Sequence, residues 1–132
     1  MAFGAMILAA GRGERMRPLS DACPKPLLSV GNKPLIVWQI EALRAAGFDD
    51  IVINASHRAE RLVDALGDGG PLGVRIAWSI EPEPLDTAGG IATASALLPA
   101  GPALIVSGDL WSRFDYASLL PRMRAMASAA AP

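Results

Sequence analysis

The run Gly4-Ala5-Met6-Ile7-Leu8-Ala9-Ala10-Gly11-Arg12-Gly13-Glu14-Arg15-Met16-Arg17-Pro18-Leu19 decides how the rest of the chain is read. Gly4 to Ala9 is continuously apolar, as expected of a strand covered on both faces, and glycines follow it at once. The apolar stretch from Phe3 to Ala10 is short and has no basic flank before it, so a buried strand is expected rather than a signal peptide. Small residues after the strand let a backbone approach a ligand closely, and exposed amides in such a turn hold phosphate oxygens. The loop is neither of two familiar phosphate motifs. Met16 stands where a dinucleotide fingerprint needs its third glycine, and the Gly-Lys-Ser/Thr ending of a Walker loop is missing. A flexible connection bearing solvated arginines is the competing reading of the same residues.

Working outward, the chain alternates between two periods. Ser20 to Gly31 reads as loop, with Pro24 and Pro26 barring a helix and a short extended piece near Leu27 to Val30. A helix is expected from Pro34, with the proline at its first position and Gly47 just past its end; Ile36, Ile40 and Leu43 form its apolar face. Ile51 to Asn54 reads as a second strand and Arg58 to Leu66 as a helix, with turns over Gly67 to Gly73. Val74 to Ser79 reads as a third strand, Asp86 to Leu98 as a helix capped by Asp86 or Thr87, Ala103 to Ser107 as a fourth strand and Tyr116 to Ala127 as a last helix.

Strands alternating with helices imply an α/β fold, a parallel sheet with helices on both faces. Right-handed crossovers leave few topologies, and the expected order is 3-2-1-4 with the first strand central. Ligands in such sheets bind beyond the carboxyl ends of the strands, where the order reverses. That point brings the loop after Ala10 and the residues after Ser107 to one crevice.

Bulk composition agrees with a folded domain. The chain has 132 residues, 52% hydrophobic and 19% charged, with a net charge of −1. One domain over 1–132 is expected, with neither nucleic acid nor a membrane as partner. The single cysteine, Cys23, rules out an internal disulfide framework and suits the cytoplasm. No stretch is long and apolar enough to span a bilayer.

Three further segments carry chemistry. In Pro24-Lys25-Pro26-Leu27-Leu28 two prolines fix the backbone around one lysine, which then serves as a point charge on a phosphate or is an ordinary surface lysine. In Val106-Ser107-Gly108-Asp109-Leu110-Trp111 a carboxylate follows a buried strand. Mg²⁺ takes one or two protein carboxylates plus phosphate oxygens and water, so Asp109 suffices for partial ligation; a turn aspartate is the alternative. In Asp86-Thr87-Ala88-Gly89-Gly90 two glycines open a helix at a cost of about 1 kcal/mol each relative to alanine. Close approach of a flat ligand or of a neighbouring strand explains them equally well. His57 lacks partners at metal spacing, and Trp38, Trp78 and Trp111 read as core or partial core.

Together these residues resemble the sugar-1-phosphate nucleotidyltransferases: Leu-Ala-Ala-Gly-x-Gly-x-Arg-Met-x-Pro-Leu, then Pro-Lys-Pro-Leu, then a strand ending in Gly-Asp. Within the family, Asp86 to Gly90 and Val106 to Trp111 look closest to the N-acetylmuramate 1-phosphate uridylyltransferases of cell-wall sugar recycling, with the mannose-1-phosphate guanylyltransferases near. The resemblance implies a three-layer αβα, Rossmann-like sheet, that of the nucleotide-diphospho-sugar transferases. It implies transfer of NMP, UMP in the nearest group, from an NTP to a sugar 1-phosphate with release of pyrophosphate. By the same resemblance Ala9, Ala10, Gly11 and Gly13 line the nucleotide, Arg15 faces the β- and γ-phosphates and Lys25 steadies the α-phosphate. Asn54 and Gly89 approach base or ribose, and Asp109 binds Mg²⁺. The family continues past the region where this chain ends, into strands that build the sugar site and a second metal-binding aspartate. A carboxyl-terminally truncated chain is therefore expected, binding NTP weakly and turning over poorly or not at all.

Two other classes compete. A nucleotide-binding module without catalysis is the second reading, although a pure binder has less need of Arg15. A dinucleotide-binding oxidoreductase domain is the third; Met16 and the lack of an acidic residue ending strand two weigh against it.

Overall fold

A computed structural model describes residues 3–10, 25–56, 58–82, 87–108 and 115–130. The expectations on Gly11, Gly13, Arg15, Cys23, His57, Asp86, Asp109 and Trp111 lie outside the described residues, as does the side chain of Lys25.

Four parallel strands form the main sheet: β1 (Gly4–Ala9), β4 (Asp50–Ala55), β5 (Arg75–Ile80) and β6 (Ala103–Ser107). Their spatial order is β5-β4-β1-β6, the expected 3-2-1-4. A small antiparallel hairpin, β2 (Ser29–Val30) with β3 (Lys33–Pro34), follows a 3-10 turn over Lys25–Leu27. Gly31 turns it, at φ +68, a conformation that favours glycine.

The helices are α1 (Leu35–Ala45), α2 (Ala59–Leu66), α3 (Thr87–Ala94) and α4 (Leu120–Ala130). On one face of the sheet Ile36, Ile40 and Leu43 of α1 and Leu62 and Leu66 of α2 are buried with Ile7, Ile51 and Ile53. Each such side chain contributes about 1.5–3 kcal/mol by leaving water. Met123 of α4 joins the same cluster. On the other face the buried residues are fewer: Met6, Val52 and Ala94, with Leu8, Ala77, Ile91 and Leu98 partly covered. The division follows from topology. β1 to β4 to β5 steps one way along the sheet and the crossover to β6 steps back, so right-handed connections place α3 opposite α1 and α2.

The structure differs from the sequence expectations at some element ends. Pro34 does not open α1 from within; its ψ of 147 is extended, and it pairs with Ser29 just before the helix. The helix expected over Asp86 to Leu98 is α from Thr87 to Ala94 and then tightens to 3-10 over Ser95–Leu97. The helix expected from Tyr116 starts as a 3-10 turn over Tyr116–Leu119, where Asp115 accepts the Ala117 amide hydrogen, and becomes α at Leu120. Pro121 then occupies the second position of α4, where its missing N–H costs nothing.

Candidate functional site: the crevice at the sheet reversal

The carboxyl ends of β1 and β6 lie side by side, and the ladder runs one residue past β6: the Gly108 N–H donates to the Leu8 carbonyl at 2.8 Å. A side chain at Gly108 would put its Cβ 2.9 Å from that carbonyl oxygen and 3.1 Å from Ile7 Cγ2. Glycine at 108 is therefore a condition of the close approach. It carries the chain from β6 straight into Asp109 while the chain from β1 leaves through Ala10 into the glycine loop. Ala9 and Ala10 are both buried at this point.

Beside them stands Asn54, near the end of β4 and 4% exposed. Its Oδ1 accepts the Ala9 N–H at 2.7 Å and its Nδ2 donates to Glu81 Oε2 at 3.1 Å. The amide can face only one way, because the backbone N–H demands the oxygen and the carboxylate demands the nitrogen. Glu81 extends β5 by one residue, donating its N–H to the Ala55 carbonyl at 2.8 Å, and is 3% exposed. Gly90 sits over the pair, where a Cβ would lie 2.8 Å from Asn54 Nδ2 and 3.1 Å from Glu81 Oε2. One amide thus ties the ends of three strands and the first turn of α3 together.

Of the two explanations for the glycine pair, close contact with a neighbour accounts for Gly90. Gly89 precedes it, half-buried, at the same helix start. The backbone of Lys25 lies in a 3-10 turn between buried Pro26 and the loop, and that turn packs on α1. Leu27 of the turn reaches the main core, and the Leu35 N–H donates to the Leu28 carbonyl at 2.9 Å, anchoring the segment. The opposite rim is held by Gln39 of α1, whose Nε2 donates to the Ser107 carbonyl at 2.6 Å.

Sequence reasoning named Ala9, Ala10, Asn54 and Gly89 and missed Glu81 and Gln39. Gln39 was visible as a polar residue three positions from Ile36, on the inward stripe of α1. Glu81 carried a fainter signal, a carboxylate between the end of an apolar strand and Pro82. Among the described residues no three His, Cys, Asp or Glu side chains gather to hold a metal, and no helix is long and apolar enough to cross a membrane.

The strand order and the crevice at the sheet reversal define a parallel α/β domain. The chain belongs to the nucleotidyl transferase family, whose model matches residues 4–131. It is 57% identical over 113 residues to the N-acetylmuramate α-1-phosphate uridylyltransferase of Neisseria meningitidis serogroup B, covering 85% of this chain and 49% of that protein. It is 42% identical over 118 residues to a mannose-1-phosphate guanyltransferase of Schizosaccharomyces pombe, covering 87% and 32% respectively. Among solved structures, HddC from Yersinia pseudotuberculosis complexed with GMP-PN superposes with a TM-score of 0.80 at 28% identity, covering 91% of this chain and 53% of that one. A CTP:phosphocholine cytidylyltransferase from Streptococcus pneumoniae superposes with a TM-score of 0.67 at 29% identity, covering 88% and 49%. The chain spans about half the length of the Neisseria relative.

Proposed function

We propose that this chain supplies the nucleotide side of NMP transfer from an NTP to a sugar 1-phosphate, with UTP as donor and N-acetylmuramate 1-phosphate as acceptor. The observation that carries the reading is the sheet reversal, where the Gly108 N–H meets the Leu8 carbonyl and the carboxyl ends of β1 and β6 lie side by side. The 57% identity to a uridylyltransferase supports uracil and the muramic acid derivative. A place in cell-wall sugar recycling and a cytoplasmic setting belong to the same reading.

In this reading the backbone after Ala9 and Ala10, through Gly11 and Gly13, lines the nucleotide, and Gly89 faces base or ribose. Asn54 contributes from beneath, by fixing the end of β1 and the Glu81 carboxylate rather than by exposing its own amide. Arg15 faces the β- and γ-phosphates, and Lys25 offsets charge that builds on the α-phosphate. An oxygen of the sugar phosphate attacks the α-phosphorus, the bond from that phosphorus to the β-phosphate oxygen breaks, and pyrophosphate leaves. Positioning and charge neutralisation supply most of the rate in such transfers, so no protein nucleophile is needed. Asp109 would hold Mg²⁺ through its carboxylate. A single carboxylate suits an ion that shares its remaining positions with phosphate oxygens and water, and the ion would neutralise the departing pyrophosphate.

The test is pyrophosphate release by this chain joined at Pro132 to the remaining part of the Neisseria relative. Release that requires UTP, N-acetylmuramate 1-phosphate and Mg²⁺ together, and falls about 100-fold or more in K25A or D109A, supports transfer. Turnover unchanged in both variants while NTP binding weakens contradicts it and favours a binding module. Release with GTP and mannose 1-phosphate instead favours a mannose-1-phosphate guanylyltransferase, which the 42% identity to a guanyltransferase motivates.

A further inference from the structure

The peptide group joining Ser107 to Gly108 is held from both sides. Its carbonyl oxygen accepts a hydrogen from Gln39 Nε2 at 2.6 Å, and its N–H donates to the Leu8 carbonyl at 2.8 Å. Gln39 lies on α1 and Leu8 on β1, so one peptide plane is fixed between a helix and a strand. Such a group cannot rotate without giving up one of its bonds. Gln39 is 6% exposed, so water competes little for the bond that it donates.

Packing alone does not ask for an amide at this place on α1. Ile36, Ile40 and Leu43 already fill the inward stripe, and an apolar residue at 39 would bury without needing a partner. The amide instead reaches a backbone carbonyl 68 residues further along the chain. The same helix also holds the neighbouring segments. The 3-10 turn over Lys25–Leu27 packs on it, and the Leu35 N–H at its start donates to the Leu28 carbonyl. The 3-10 turn over Tyr116–Leu119 packs on it as well, with Tyr116, Ala117 and Leu120 set against the main core. One helix therefore fastens the turn that bears Lys25 and the described residues on either side of 109–114.

We propose that Gln39 is a positioning residue: by fixing the Ser107–Gly108 peptide it sets where Asp109 stands relative to the Lys25 turn. It thereby sets how readily the nucleotide site takes up its divalent cation. The inference rests on the nucleotide reading above, and Gln39 acts on the metal only through the backbone that leads to Asp109.

Gln39→Met keeps the length of the side chain and removes its donor. Without nucleotide, the Gly108 amide of residues 1–132 should exchange about tenfold faster in Q39M than in the parent chain, with β1 and β4 amides protected as before. With UTP, the Mg²⁺ concentration for half-maximal binding in titration calorimetry should rise about tenfold. In a D109N background the same substitution should move that concentration by less than about twofold. Gln39→Asn, one methylene shorter and still an amide, should give the same pattern and decides the matter where Q39M does not fold.

Unchanged Gly108 exchange, or an Mg²⁺ requirement within about twofold of the parent's, overturns the inference while the parent's own UTP binding leaves the nucleotide reading standing. An equal effect of Q39M with and without Asp109 also overturns it, because a packing defect weakens binding whichever residue stands at 109. Failure of the parent chain itself to bind UTP with Mg²⁺ is a separate result, which removes the nucleotide reading and this inference with it.

Discussion

Asn54 Oδ1 accepts the amide hydrogen of Ala9 at 2.7 Å, joining the last residue of β1 to β4 at the floor of the crevice. The same side chain's nitrogen reaches Glu81, so its removal orphans a buried donor and loosens a buried carboxylate. Asn54→Leu, close in volume and unable to hydrogen-bond, should cost about 2–4 kcal/mol of stability, measured by urea denaturation. Asn54→Asp keeps an acceptor for Ala9 but replaces the donor to Glu81 with a second acceptor, so it too should be less stable in urea than the parent chain. A cost under about 0.5 kcal/mol for Asn54→Leu would show that the link carries no strain-bearing role.

Two glycines at the crevice should respond differently to alanine. At Gly108 the obstruction is the Leu8 backbone carbonyl, 2.9 Å from a built Cβ, and backbone in a four-stranded sheet does not yield cheaply. Gly108→Ala should destabilise by about 1–3 kcal/mol. At Gly90 the obstruction is the tip of Asn54 and of Glu81, and alanine gains about 1 kcal/mol of helix propensity there. Gly90→Ala should therefore be the milder of the two in thermal melts, yet disturb the Asn54–Glu81 contact seen in amide side-chain NMR. The reverse order of stability would contradict the assignment of these contacts.

The strand order was legible because β1 is apolar on every residue and β4 over Ile51, Val52 and Ile53, which only a two-sided burial explains, and because helices separate the strands. The ends of elements were less so. Pro34 has the φ of a first helical residue, and its extended ψ and its pairing with Ser29 reveal that it closes a hairpin. Within the crevice, Ala9, Ala10 and Asn54 could be named from the chain, but not that Asn54 turns inward to Ala9. That bond links residues 45 apart in sequence, and no local period encodes it. Glu81 stayed hidden for the same reason: a carboxylate before a proline reads as a turn until Asn54 and Gly90 are seen against it.

A surface pair makes a smaller, pH-dependent contribution. The Arg75 guanidinium hydrogen-bonded to Asp50 holds that carboxyl below its ordinary value of 3.8, opposed in part by burial and helped by the charge attraction. Because the folded value is the lower one, the stabilisation is complete above about pH 4 and is lost as pH falls through 3.8 toward the depressed value. Arg75 is well exposed and Asp50 partly so, and solvent screening keeps the effect small. Asp50→Asn should lower the melting temperature slightly at pH 7 and leave it unchanged at pH 2. An equal loss at both pH values would place the effect elsewhere.

Titration calorimetry of UTP into residues 1–132 with Mg²⁺ present, repeated with K25A and D109N, bears on the crevice itself. The predicted result is saturable binding that requires Mg²⁺ and weakens about tenfold or more in either variant. Binding indifferent to Mg²⁺, Lys25 and Asp109, or no binding by a chain whose β1 and β4 amides are protected, would contradict a nucleotide site at the reversal between β1 and β6.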